Sequence, residues 1–494
     1  MKRWRRQADR LSALPDEMLE HILSNLPSDE ATRTSALSRQ WRDVPTGVTV
    51  VDLVDHKKRN QHRRSAAAKD LPICFSHKVT GAILCKAPAT PILTFRLDTR
   101  HLPADLLDQW IGSALSSGAE EIDVKLRYGH LSGRRLCPYS STERASADFE
   151  IYERNSYTKT QNHLFRCRTL RRLHLTNWTL DLHGTVSMAS LETLCLARIM
   201  DPKGQLQQLL SNCPRLADLT LQECPGVSKI SVKNAFLRSF AMICCHHATH
   251  VELCSSCLQS LYYKGGLPFE SVFKLENYQG VVALRIEICE DLSKRESADV
   301  APVTTLISQC TELAYLHLSL RPSMAYHSSL FAEAVQGLPL RHLGLQGCLS
   351  DDHAIRSVAV MLRDTKNLEG LSLFPMGQPR KKASWTSDGE SDAETEDCDD
   401  GVDRSSRVTD SLWQMYIRCL HHKLRRINIV NYKGLQLERI LANFLLERGK
   451  TLEEFSVTSP IDSSRQKDQM ASQLRSWRYN RRTRIIVNRR QKKL

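Results

Sequence analysis

Apolar residues recur along this chain in two rhythms. Near the N-terminus the rhythm is helical: Met18, Leu19, Ile22, Leu23 and Leu26 share one face, and Ala31, Thr34, Leu37 and Trp41 follow at steps of three or four. Pro15 suits a helix start, where its missing N–H costs nothing, and Asp16 and Glu17 complement the positive end of the helix dipole. Pro27 stops the first run, and Ser28 or Asp29 is placed to cap the next. The spacing predicts two or three short helices over 9–45. A unit of roughly 40 residues buries too little surface to stand alone. It either packs on the rest of the chain or lays its apolar face on another protein.

Further along, the rhythm becomes apolar-x-x-apolar-x-apolar. It runs through Leu170/Leu173/Leu175, Leu191/Leu194/Leu196, Leu216/Leu219/Leu221 and Leu237/Phe240/Met242, with Leu258/Leu261/Tyr263 as a weaker member. It continues at Val281, Leu313, Leu340 and Leu368, and after a gap at Leu424 and Leu452. The starts from Leu170 to Leu258 lie 21, 25, 21 and 21 residues apart, periods that match leucine-rich repeats. In that architecture each repeat gives one strand to a parallel sheet, the x positions face out on the concave side, and stacking supplies the core. Later steps of 32, 27 and 28 residues predict bulkier convex segments. The fold class read from these patterns is α/β: three short N-terminal helices, then an irregular leucine-rich-repeat solenoid with a parallel concave sheet.

Between the two rhythms, residues 57–69 ("KKRNQHRRSAAAK") read as an exposed linker, Leu71–Leu84 as a possible helix, "ILTFRLD" as a strand and "LPADLLDQWIGSALSSG" as a helix stopped by Gly118. The organisation expected is a basic N-terminus (1–8), the helical unit (9–45), linker and helix (46–89), repeats (90–376, with an insertion near 132–160), an acidic disordered insertion (377–410), terminal repeats (411–460) and a basic tail (461–494).

The net charge of +14 combines opposed segments. After Pro460 there are eleven Lys or Arg against two Asp, whereas Lys382 to Arg404 encloses nine acids and no base. That acidic stretch has no core-forming period, and Ser391 and Thr395 precede acids in a context that suits acid-directed kinases. The basic start lacks an apolar h-region and no apolar run approaches the ~18 residues of a membrane span, so an intracellular chain with mostly reduced thiols is expected among its 16 cysteines. No membrane partner is expected, and basic runs with few aromatics fit solvated tails better than a nucleic-acid surface.

Residues Asp9 to Arg42, "DRLSALPDEMLEHILSNLPSDEATRTSALSRQWR", closely resemble an F-box in the form common in plant F-box/leucine-rich-repeat proteins. The matching features include Leu14-Pro15-Asp16, Ile22-Leu23-Ser24, Leu26-Pro27, Leu37-Ser38-Arg39 and Trp41-Arg42. Where such relatives often carry a second Trp, this chain reads Asp43-Val44-Pro45. Cys419 to Val457 resembles the C-terminal FBD-type module of plant F-box proteins. The resemblance implies a Skp-type adaptor as direct partner, a cullin bound indirectly, and a protein target held by the repeats: the substrate receptor of an SCF (Skp–cullin–F-box) ubiquitin ligase in the nucleus and/or cytoplasm. A Skp-independent repeat scaffold is the alternative.

On this reading Leu14, Pro15, Leu19, Ile22, Leu23, Leu26, Leu37 and Trp41 are the expected adaptor contacts. Arg171, Arg172, His174, Asp218, Thr220, Tyr315, His317, Arg341 and His342 are the expected target contacts, from exposed x positions. No catalytic residue and no cofactor are expected, since dinucleotide, P-loop, nucleophile-elbow and zincin motifs are missing from the sequence. The stretch "CCHHATHVELCSSC" admits zinc through Cys244, His246, His247, Cys254 or Cys257, but its spacing fits no standard finger. Cys224, Cys245, Cys289 and Cys348 stand three residues after a repeat's last apolar residue, where such repeats place Asn or Cys. No metal is therefore expected.

Overall fold

The computed structural model describes residues 11, 14–37, 40–55, 75–86, 90–100, 102–129, 137–139, 157–268, 272–349, 351–376, 412–460 and 464–489. The expected linker at 57–69, most of the insertion near 132–160 and the acidic insertion at 377–410 lie outside them. The chain forms two compact units, Met1–Ala248 with Glu252–Ser255, and Thr249–Val251 with Ser256–Leu494.

The first unit opens with α1 (Asp16–Leu23), α2 (Ser28–Thr34), a 3-10 turn (Gln40–Arg42) and α3 (Val44–Gly47). Proline stands at the entry of both longer helices: Pro15 and Pro27 are extended, and each precedes an acidic first turn. The helices enclose a small core of Leu19, Leu23, Ala31, Trp41, Val44 and Val48, with Leu14, Leu26 and Val50 packed on it. Val44 thus supplies apolar bulk just after Trp41, where a second Trp was the family expectation.

This core is closed by the chain itself. Val50 belongs to β1 (Val50–Val54), a strand lying inside the span read as linker and helix. Ser28 does not cap α2 with its side chain. Its Oγ accepts the backbone N–H of Asp52 in β1 at 2.8 Å. Lys78 in α4 (Phe75–Leu84) pairs with Asp29 at 2.8 Å. Lys86 donates to the carbonyls of Pro45 and Val48, and burial lowers its pKa to about 8.

The sheet of the first unit is entirely parallel, in the order β1, β2 (Thr94–Arg100), β3 (Glu121–Arg127), β4 (Arg172–Thr176), β5 (Thr193–Ala197), β6 (Asp218–Gln222) and β8 (Ser239–Ile243); β7 (Lys229–Lys233) lies outside it. The three-point pattern sets the register. Leu173, Leu194, Leu219 and Phe240 align across four strands, as do Leu175, Leu196, Leu221 and Met242, and all are buried. α5 (Ala104–Ser116) buries Leu107, Trp110, Ile111 and Ala114 and ends at Gly118, whose φ of +90° favours glycine.

Three residues past the last apolar position of three repeats, a buried donor satisfies the carbonyl of the preceding strand. Trp178 Nε1 donates to Val124 at 3.1 Å, Cys224 Sγ to Leu196 at 3.4 Å and Cys245 Sγ to Leu221 at 3.6 Å. Cys224 and Cys245 are structural donors here, and no described cysteine is in a disulfide. Burial pushes the thiols of Cys213, Cys310 and Cys419 up to about 12, so they stay protonated and inert.

β9 (His250–Cys254) spans the boundary of the two units along the chain, and β11 (Phe273–Leu275) is a short strand outside the main sheet of the second. That main sheet is again parallel: β10 (Ser260–Gly265), β12 (Ala283–Ile288), β13 (Tyr315–Ser323), β14 (His342–Cys348), β15 (Gly370–Met376), β16 (Arg426–Val430), β17 (Glu454–Ser459) and β18 (Arg484–Arg489). Repeat length decides what covers its back. The 21-residue repeats have no room for a helix, and the 25-residue step holds only α6 (Leu206–Ser211). The steps of 32, 27 and 28 hold α7 (Ser297–Gln309), α8 (Ser328–Val335) and α9 (Asp352–Asp364).

Between α10 (Arg418–His422) and β17, the expected strand–helix–strand order holds, with α11 (Gln436–Arg448) in the middle. The Glu438 carboxylate accepts the N–H groups of Lys433, Gly434 and Leu435 at 2.7–3.2 Å, satisfying donors at the helix entry. The span read as a basic tail is a further repeat: α12 (Ser464–Trp477) leads into β18, which pairs in register with β17. Leu474 is fully buried, and Ile485 and Val487 align with Phe455 and Val457.

Candidate functional site

Two surfaces have functional character. The first lies on the N-terminal helices. Helical spacing puts Leu19 and Leu23 inside, and they keep at most 1% exposure; Trp41 keeps 6%. These three expected contacts form the unit's own core, with Leu14 and Leu26 half-buried beside them. Ile22 (38%), Leu37 (70%) and Pro15 face solvent, and so do Leu11 (56%) and Met18 (52%). These are large apolar side chains that the unit's interior does not use. Leu11 and Met18 fell outside the expected set, although Met18 stands next to Leu19 and so turns its side chain elsewhere on α1.

The second surface is the strand face carrying the x positions. In the first unit it is a charge ladder. Glu121 on β3 is buried and takes guanidinium groups from both sides, Arg96 on β2 and Arg172 on β4, each at 2.8 Å. Burial alone would raise its pKa, but Arg172 and Arg96 outweigh it and hold the carboxyl below its usual range. Arg172 is therefore already engaged within the sheet. Arg171 lies between Glu120 (3.8 Å) and Glu192 (3.4 Å), and His174 is 3.8 Å from Asp123. Asp218 is exposed and Thr220 half-buried, in the rows that begin with Arg172 and His174.

In the second unit the face changes character. Glu287 binds Lys264 at 2.8 Å and also Arg285; despite burial these cations bring its pKa down to about 2. Arg285 in turn stacks 4.6 Å from the Tyr262 ring. His317, an expected contact, is only 4% exposed. Burial and Arg285 lower its pKa, so it is a neutral wall of the face. Tyr315 and Arg341 are exposed and His342 half-exposed, as expected.

Beside them the strands carry Gly344, Gly370 and Ser372 in adjacent registers, and the missing side chains leave a recess of about 310 Å³. Tyr315, His342, Arg426, Asn428 and Glu454 wall it. A side chain at either glycine would displace a histidine. A Cβ on Gly344 would stand 2.5 Å from His317 Nδ1, and one on Gly370 2.5 Å from His342 Nδ1. The recess is a strand-face subsite that offers both signs of charge, hydrogen-bonding groups and an aromatic edge.

The chain thus combines a compact helical unit with stacked parallel repeats. Comparison with known proteins gives that combination a family context. Residues 11–48 match the F-box domain, and residues 146–276 match the leucine-rich repeats of FBD-associated F-box protein At5g56370. Similar Arabidopsis thaliana proteins include the putative F-box/LRR-repeat protein At3g28410, 31% identical over 43% of this chain and 38% of that protein. The putative F-box/LRR-repeat protein At3g58880 is 29% identical over 47% of this chain and 48% of its own length. The putative F-box/FBD/LRR-repeat protein At5g22670 is 27% identical over 47% and 46%. The matches thus span less than half the length of these relatives. The chain carries an F-box followed by an FBD/LRR-type repeat region.

Proposed function

We propose that this protein is the substrate-receptor subunit of an SCF-type ubiquitin ligase, binding a Skp-type adaptor through the F-box and a protein target through the repeat strand face. The observation that carries this reading is the F-box surface. Its interior is complete with Leu19, Leu23, Trp41 and Val50 in place, so Leu11, Met18, Ile22 and Leu37 are exposed for a purpose other than folding. The cullin is reached only through the adaptor. The mechanism is proximity: a target held on the repeats meets the ubiquitin-conjugating enzyme at high effective concentration, and no residue of this chain performs chemistry.

The target is a protein whose surface enters the strand face. The recess between Tyr315, His342, Arg426 and Glu454 accepts a side chain with both polar and aromatic character. Action in the nucleus and/or cytoplasm belongs to this reading; no described helix is long and apolar enough to cross a membrane. Reconstitution tests the proposal. The chain, a Skp-type adaptor, cullin, RING subunit and conjugating enzyme are combined with proteins captured by the repeats. Adaptor-dependent ubiquitination of a captured protein is expected. Stable capture with no adaptor-dependent ubiquitination would favour a Skp-independent scaffold.

A further inference from the structure

The repeat architecture accounts for Cys224 and Cys245 as carbonyl donors, but it does not account for the residues beside Cys245. The turn after β8 has a left-handed residue at a position the solenoid repeats: Asn177, Arg198, Glu223 and then Cys244, whose φ is 54°. Its predecessors are polar or charged; here the chain places a thiol, and it is buried. Two residues on, both ring nitrogens of His246 are buried without a hydrogen-bond partner. A buried imidazole normally satisfies at least one nitrogen, so leaving both bare costs free energy unless something else occupies a lone pair. The third member comes from far away in sequence. Cys137, in the segment between β3 and β4, brings its sulfur within 4.8 Å of both Cys244 Sγ and a ring nitrogen of His246. Tyr139 braces the same imidazole, edge to face, at 5.3 Å between ring centroids.

We propose that Cys137, Cys244 and His246 ligate a zinc ion. Two thiolates and an imidazole are the donor set that zinc prefers over the harder divalent cations. Tetrahedral zinc, with Zn–S near 2.3 Å and Zn–N near 2.0 Å, sets its donor atoms about 3.5–3.8 Å apart. The observed cluster needs a contraction of at most about 1.0–1.3 Å to reach that geometry. A further thiol of the chain or a water completes the fourth position. The role is structural: the ion ties the Cys137–Tyr139 segment to the turn after β8, within the first unit. The ligands fall outside any finger spacing because more than a hundred residues separate Cys137 from Cys244.

The full chain is purified under reducing conditions, its zinc content is measured by elemental analysis, and it is then titrated with Co²⁺ after chelation. The expected result is about one zinc per chain and a cobalt spectrum with tetrahedral d–d bands and thiolate charge transfer. Cys137→Ser and His246→Asn each reduce the metal content to background, whereas His246→Cys, which keeps a zinc donor, retains it. Circular dichroism checks that each variant is folded. A reduced, folded chain with no zinc and no cobalt spectrum would overturn the proposal. So would metal content unchanged by Cys137→Ser and His246→Asn, or a Cys137–Cys244 disulfide persisting in reductant.

Discussion

Ser28 Oγ accepts the backbone N–H of Asp52 at 2.8 Å, tying the second F-box helix to the first strand of the solenoid. With Val50 packed on the F-box core and Lys78 paired to Asp29, this bond fastens the F-box to the first strand and to α4. Ser28→Ala leaves the Asp52 amide without its partner and should cost about 0.5–1.5 kcal/mol. The loss should register in hydrogen exchange as faster exchange at Asp52 and over α2, with β12 to β17 unchanged. Unaltered protection around Asp52 would show that the joint does not depend on this bond.

Interior and surface residues of the F-box should separate cleanly. Leu19→Ala removes a fully buried side chain and should destabilise the unit by about 2–5 kcal/mol. Met18→Asp and Ile22→Asp change exposed positions and should leave the unfolding midpoint nearly unchanged. Hydrogen exchange of the α1 amides across a denaturant series reads both.

Acid should weaken the second unit through Glu287. Its folded pKa of about 2 lies below the ordinary 4.5, so the carboxylate's stabilisation is complete above pH 4.5 and is lost as pH falls toward 2. Glu287→Gln should lower stability at neutral pH by about 1–3 kcal/mol, because Lys264 and Arg285 lose their counter-charge. It should also flatten this part of the acid dependence. Equal slopes in the two proteins between pH 4.5 and 2 would place the acid sensitivity elsewhere.

Filling the strand-face recess should alter target capture more than folding. In Gly370→Ala the new Cβ meets His342, a half-exposed side chain that can swing away at small cost. Gly344→Ala meets the buried His317 and should be more disruptive, by about 1–3 kcal/mol. Quantitative comparison of proteins captured by the wild type and by Gly370→Ala reads the effect. An identical captured set at equal yield would remove the recess from the recognition surface.

Much of this molecule was legible in its sequence. The three-point pattern gives the main-sheet strands from β4 to β17 at the expected registers, whereas β7, β9 and β11 were not anticipated. Pro15, Pro27 and Gly118 mark helix ends close to where they fall. Two main-sheet repeats also escaped, for physical reasons. Val48-x-x-Val51-x-Leu53 carries the pattern, but it sits against the basic stretch at 57–69 and far from the run that begins at Leu170. The last repeat has Arg482 where the first apolar residue belongs, so Ile485 and Val487 looked like fragments of a charged tail. The exposed apolar face of the helical unit was half legible. Similarity to an F-box finds residues that matter without separating those that build the core, such as Leu23, from those that face out, such as Leu37. The recess was hidden because it is made of absent side chains, and the thiol–imidazole cluster because its third member is distant in sequence.

Adaptor binding by the exposed F-box residues is proposed above. It is tested most directly by calorimetric titration of the purified adaptor into the full chain and into the Met18→Asp/Ile22→Asp double variant, both verified as folded. The expected result is a saturable one-to-one complex with the wild type and a loss of at least about a hundredfold in affinity, or about 2.7 kcal/mol, in the variant. Equal affinity for both proteins, or no binding by a folded wild type, would contradict it.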